Sequence, residues 1–230
     1  MRGGDQRKMA AFVGAMYLVF FAVGIFSGFT VNNLSKNAIV TDMSKNVVFY
    51  QGRYVRGYAK HSTKEYCTYI KTLSVIPVSK EHYYLIVSDD LKQAITVRAD
   101  KDWEKEFNEG NSVNKDGKLF EGHIKRLDRK VASNLSNVIA QYNEKNLEID
   151  VNPNLYIDLC ATKYATRMLI AGIVGILITI FYIIDTFRSY TAEDEILNWK
   201  FDSPEKIKTS VLVGIQMVCL VIMAINWLIL

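Results

Sequence analysis

The chain of 230 residues is half apolar and 23% charged, with a formal net charge of +4 and a mean hydropathy of +0.05. That average resembles a soluble protein, but the charges are crowded: residues 31–166 hold 20 of the 28 Lys and Arg and 17 of the 24 Asp and Glu. The +3 left on that stretch is interleaved acid and base with no basic stripe, which excludes a nucleic-acid footprint. The stretch is long enough for one compact domain with its own core. Abundant Lys, Asn, Ile and Tyr suggest an AT-rich bacterial genome.

Residues 1–8 are short and basic, with Arg2, Arg7 and Lys8 against Asp5. Residues 9–29 then run without a charge. A signal peptide would have a shorter apolar core and a small-residue cleavage site. Here the run is full length and bulky Phe26, Phe29 and Val31 surround the only candidate site, so the reading is an uncleaved transmembrane helix. Gly24 and Gly28 form a GxxxG pair, which lets helices approach closely, within the chain or between copies. Residues 30–46 read as a polar exit linker. Two sequons, at Asn33 and Asn134, carry no meaning in a bacterial chain.

Residues 47–166 read as the soluble domain. Short runs rich in Val, Ile and Tyr predict strands at 47–59, 66–75, 82–87, 94–99, 118–127 and 155–160. Asp100 caps a predicted short helix over 101–107. Val131, Leu135, Val138, Ile139 and Tyr142 fall on one stripe and predict an amphipathic helix over 129–142 that packs on the sheet. A helix between the third and fourth strands is the order of a small Greek-key barrel of the OB type. An α+β sheet with helices on one face fits almost as well.

Residues 167–185 contain the longest apolar run, MLIAGIVGILITIFYIID from Met168. About 18 helical residues rise about 27 Å, most of a hydrocarbon core of roughly 30 Å. No water-soluble fold needs a helix apolar all round at that length. Gly172 and Gly175 lie in this span as further small packing positions. Residues 186–210 form a loop with a predicted short helix over 192–201 and a helix start at Ser203-Pro204. Residues 211–230 are the third span. The fold class is therefore an α+β membrane protein: three transmembrane helices, with one β-rich soluble domain between the first and second. Lys and Arg counts in the N-terminus and the 186–210 loop put both in the cytoplasm and the domain outside, in a multi-pass cell-membrane protein.

Candidates for chemistry are sparse. His61, His82 and His123 sit on separate predicted strands without a zinc spacing. Asp89-Asp90 suits a turn. Lys125-Arg126 and Arg129-Lys130 make a small basic cluster that reads as a solvated helix start. Cys67 and Cys160 could pair only if the geometry allows, and two free thiols are the favoured reading. Cys219 is a packing residue. Thr179, Gln216 and Asn226 are the polar groups within the spans, and Gln216 and Asn226 are expected to hydrogen-bond between helices. No catalytic, cofactor or metal residue is assigned.

The runs HYYLIV, AITVRADKDW and LFEGHIKRLD, in a chain with one span before them and two after, resemble uncharacterised bacterial multi-pass membrane proteins with an OB-like insert. The resemblance covers about residues 50–160 and implies no catalytic residue. The functional expectation is a non-catalytic membrane protein in the lipid bilayer. Its domain would bind a protein, a lipid headgroup or an envelope component, with a protein partner or a second copy as the expected company. Tyr50, Tyr54, Tyr58, Tyr83 and Tyr84 would offer amphipathic contact surface. An accessory subunit of a transport or secretion assembly is the alternative, favoured if Gly24, Gly28, Gly172 and Gly175 were left open. A metal-dependent membrane enzyme needs the three histidines to converge.

Overall fold

The structure is a computed structural model that describes residues 3–43, 47–73, 75–113, 115–143, 149–189 and 204–229. It divides into two units, residues 31–163 and residues 1–30 with 164–230.

The second of these holds most of the apolar helix. Helices α1 (Gly3–Lys36), α4 (Ala161–Ser189) and α5 (Pro204–Ile229) each contain a stretch long and apolar enough to cross a membrane: Ala11–Lys36, Ala161–Asp185 and Val211–Ile229. Pro204 opens α5, where a missing N–H costs nothing. Phe21, Ala171, Cys219 and Met223 form the shared core of the three helices. The predicted helix over 192–201 lies outside the described residues.

Residues 30–36 correct the expected linker, because α1 continues through them. Their polar side chains serve the helix itself: Thr30 Oγ1 donates to the Phe26 carbonyl at 2.8 Å and Ser35 Oγ to that of Asn32 at 2.8 Å. Polarity without Gly or Pro does not break a helix. The remainder of the linker contains strand β1 (Ile39–Asp42).

The domain is a mixed sheet. Its other strands are β2 (Tyr54–Ala59), β3 (His61–Ser62), β4 (Cys67–Leu73), β5 (Ile76–Val87), β6 (Gln93–Ala99), β7 (Lys118–Arg126) and β8 (Asp150–Asp158). The paired path is β1-β2-β7-β8-β6-β5-β3, and β4 also pairs with β5. Lys60 alone separates β2 from β3, so the path returns to the stretch of chain it left. The pairs β2/β7, β7/β8, β6/β5 and β5/β3 are antiparallel, and β6/β8 is parallel. Gly57 makes room for β1: a Cβ there would lie 2.5 Å from the Thr41 carbonyl.

The two faces of the sheet are covered by different helices, which corrects the expectation of helices on one face. One face holds Val55, Ala59, Tyr84, Ile86, Ile95, Val97, Phe120, Ile124 and Ile157, joined by Trp103 and Phe107 of α2 (Trp103–Val113). The other holds Tyr83, Leu85, Val87, Ala94, Val151 and Tyr156, joined by Val131 and Leu135 of α3 (Arg129–Asn143). Strands β5 and β6 are therefore buried on both sides over 81–87 and 94–99. That is why HYYLIV reads as a continuous apolar run and not as an alternation.

Several boundaries moved: β5 begins at Ile76 and not at 82, and α4 begins at Ala161 and not at 167. The predicted strand over 47–59 begins only at Tyr54, after a turn at Gly52 with φ of 81°. α2 runs past Phe107 and through Gly110. The strand expected over 155–160 is β8, which begins at Asp150 and carries an irregularity where Asn152 Oδ1 accepts from the N–H groups of Asn154 and Leu155, both at 3.1 Å.

Candidate functional site

Strand register sets one row of side chains across the α3 face of the sheet. Cys67 pairs with Tyr83, Tyr83 with Arg98, Arg98 with Asp158, Asp158 with His123, and His123 with Tyr54. Alternation along β6 suggests Thr96 and Arg98 for a wet face. They are instead 0% and 1% exposed.

Burial of Arg98 is tolerable because every arm is met. Its Nε donates to Asp158 Oδ1 at 2.8 Å, Nη2 donates to Asp158 Oδ2, and Nη1 donates to Glu81 Oε1 at 2.5 Å. Asp158 also accepts from Lys125 Nζ at 2.7 Å and from the Cys160 N–H at 3.1 Å. Glu81 accepts from the Tyr83 hydroxyl at 2.8 Å and from Lys71 Nζ at 3.1 Å. Burial opposes the Asp158 charge, yet Arg98 and Lys125 outweigh it and hold its carboxyl below the usual range. Burial likewise opposes the Arg98 charge, and Asp158, Tyr156 and Glu81 outweigh it, so the guanidinium stays protonated. For Lys125 burial wins over Asp158 and its pKa falls. The network ties β4, β5, β6, β7 and β8 together.

The row ends in a stacked pair, Tyr54 and His123, with ring centroids 6.3 Å apart. The Tyr54 hydroxyl meets Thr162 Oγ1 at 2.5 Å. Burial, then Lys125, lowers the His123 pKa and favours the neutral ring. The histidines do not converge: His82 Nδ1 pairs with Glu65 at 2.9 Å, and His61 is exposed on β3. Among the described residues no three His, Cys, Asp or Glu side chains are grouped as metal ligands. Asp89 pairs with Lys60 at 2.6 Å, and Asp90 accepts from Ser88 Oγ at 2.6 Å within the β5–β6 turn. Lys125 turns inward, while Arg126, Arg129 and Lys130 are exposed.

The cysteines are free and buried. Cys67 Sγ accepts from Asn134 Nδ2 at 3.1 Å, and Cys160 Sγ lies 3.8 Å from Asp100 Oδ1. Burial, then Asp100, pushes the Cys160 thiol up to about 12, which favours the protonated form.

The five tyrosines do not share a face. Tyr54, Tyr83 and Tyr84 are buried, Tyr83 and Tyr84 on opposite sides of β5. Tyr50 and Tyr58 are exposed. Tyr58 stands opposite Leu119 on β7, and two residues away Arg56 pairs with Glu121 across the strands at 2.6 Å. Val40 on β1, 82% exposed, is in register with Arg56. Val40, Tyr58 and Leu119 thus make an exposed apolar patch around one ion pair, on the part of the sheet α3 does not cover. The sequence marked Tyr58. It did not mark Val40 or Leu119, because only strand register brings them together.

The four glycines marked in the spans meet other parts of the chain, whereas Gly214 of α5 has nothing within 4 Å. Gly24 meets Met223, Gly28 the Ala165 carbonyl and Leu169, Gly172 Ile25, and Gly175 the Phe21 ring. The open groove of small residues that would favour a transport or secretion subunit is not left by these four. Gln216 Nε2 donates to Thr179 Oγ1 on the neighbouring helix at 2.7 Å, whereas Asn226 Nδ2 donates to Ile222 of its own helix at 2.6 Å. No family model matches the chain, and neither does any curated protein or solved structure.

Proposed function

We propose that this chain is a non-catalytic, multi-pass membrane protein whose β-rich domain is a docking module for another protein. In this reading the bilayer is that of a bacterial cell, the N-terminus is cytoplasmic and the domain lies outside, as the Lys and Arg counts of the short segments favour. The path β2-β7-β8-β6-β5-β3, whose end strands β2 and β3 are consecutive in the chain, with β6/β8 its parallel pair and α2 between β6 and β7, supports an OB-type barrel.

Barrels of that type use the outer face of their second and third strands for ligands. Here those strands are β5 and β6, and their outer face is filled by α3 and by the Arg98 network. Binding then falls to the exposed patch on β1, β2 and β7. The observation that carries the reading is this patch: Val40, Tyr58 and Leu119, 82%, 45% and 46% exposed, around the Arg56–Glu121 pair. Exposed aromatic and aliphatic groups with a polar rim suit a protein surface.

A photoreactive phenylalanine at position 58 or 119 of the full chain, irradiated in its own membrane, tests this. Protein adducts at both positions are expected, and none at Leu91, which is equally exposed on the β5–β6 turn. Leu119→Asp should abolish the adduct at 58. Equal labelling at 58 and 91, or adducts to lipid alone, would remove the docking reading.

A further inference from the structure

Strand β1 ends the paired path of the sheet, and among the described residues only β2 lies beside it. A Cβ at Gly57 would lie 2.5 Å from the Thr41 carbonyl oxygen, so that carbonyl turns toward β2. Along a strand, the N–H and C=O groups of successive residues turn to opposite edges. Those of Val40 and Asp42 therefore turn away from the sheet, and Val40 is 82% exposed. Proteins blunt such an edge with Pro, Lys or a bulge. β1, with the sequence IVTD and an unbroken register, has none of the three.

These outward groups define an occupant by hydrogen bonding. Two residues about 7 Å apart each present one donor and one acceptor along a line. An extended backbone repeats donors and acceptors at that spacing. A helix bonds its backbone groups within itself, and an acyl chain has none. On the docking reading above, we propose that the docked protein lays an extended segment along the outer edge of β1 and joins the sheet as a further strand. Val40 lies on the face that holds Tyr58 and Leu119, so the segment is apolar where it passes Val40.

The test separates backbone from side chain, in the full chain in its own membrane with the photoreactive phenylalanine at 119. Val40→Pro removes an outward N–H and leaves the bonds that Ile39 and Thr41 make to β2, a place where an edge strand accepts Pro. Asp42→Pro does the same at the second residue. Val40→Thr keeps the N–H and the branched shape. The protein adduct at 119 is expected to fall about tenfold in each proline variant and to stay within about twofold in Val40→Thr. Unfolding followed by Trp103 fluorescence checks that each domain is intact. Independently of the proline variants, photoreactive phenylalanine at 40 and at 42 should label one and the same partner segment, mapped by mass spectrometry. Undiminished adducts in both folded proline variants, or adducts at 40 and 42 scattered over separate segments, overturn the added strand and leave the docking reading standing. Absence of any protein adduct in the wild type removes the docking reading and the strand with it. Adducts formed only with a second copy of this chain overturn the assignment of the strand to another protein.

Discussion

The domain and the apolar helices both bury polar groups, and they satisfy them in different ways. In the domain, Arg98, Glu81 and Asp158 are almost fully buried and every charge meets a partner on a neighbouring strand. In the helices, Thr179 Oγ1 accepts from Gln216 and donates to the Gly175 carbonyl of its own helix, and Gln216 Oε1 has no partner among the described residues, as His123 Nδ1 has none in the domain. A sheet sets residues of adjacent strands side by side, so one register aligns a row of charges. A helix presents a polar residue to a neighbouring helix once per turn or less, so Gln216 meets one side chain across that contact. Buried charge is affordable only where geometry supplies several partners at once.

The strongest way to break this contrast is to remove one charge from the full row. Asp158→Asn removes the carboxylate that Arg98 and Lys125 share, while Glu81 stays on Arg98. It should cost about 3–5 kcal/mol, read as domain unfolding of the full chain by Trp103 fluorescence. Replacing Arg98 and Lys125 by Met and Asp158 by Leu together should recover most of that loss, because Glu81 keeps Lys71 and the Tyr83 hydroxyl. Leu135→Ala removes a fully buried contact between α3 and the sheet and should cost about 2–5 kcal/mol in the same assay.

Acid gives a graded version of the first experiment. The Asp158 pKa is depressed in the folded domain, so its contribution is intact above its unfolded value of about 4. Below that, toward the depressed folded value, the contribution drains away. Domain stability should fall across that acid window in the wild type, and Asp158→Asn should flatten the fall. Gln216→Leu is the smallest effect. It removes a bond worth about 0.6 kcal/mol between membrane helices together with an unpaired oxygen, so thermal stability should change little. A large loss there would mean that the helices rely on polar contacts as heavily as the domain does.

Much of the layout was legible in the residues. The three spans, α3 with its Val131–Leu135 stripe, and β6 over 93–99 follow from periodicity and length. A short helix between the strands expected at 94–99 and 118–127 is present as α2, between β6 and β7. The site was less legible. Five tyrosines close in sequence looked like one surface, but Tyr83 and Tyr84 point to opposite sides of a strand that is covered on both. Arg98 looked like a solvated residue because its partners, Glu81 and Asp158, lie 17 and 60 positions away. A spacing rule that works within one element has no view of them.

By itself the sequence determined what is set by local chemistry: which segments are too apolar for water, where helices begin, and which runs are strands. Only the tertiary structure decided which strand lies beside which. That choice buried Arg98 against Asp158, put α2 and α3 on opposite faces, and left Val40, Tyr58 and Leu119 exposed together. The physical reason is that strand pairing joins backbone groups common to every residue, so side chains select the register only through the packing of the whole sheet.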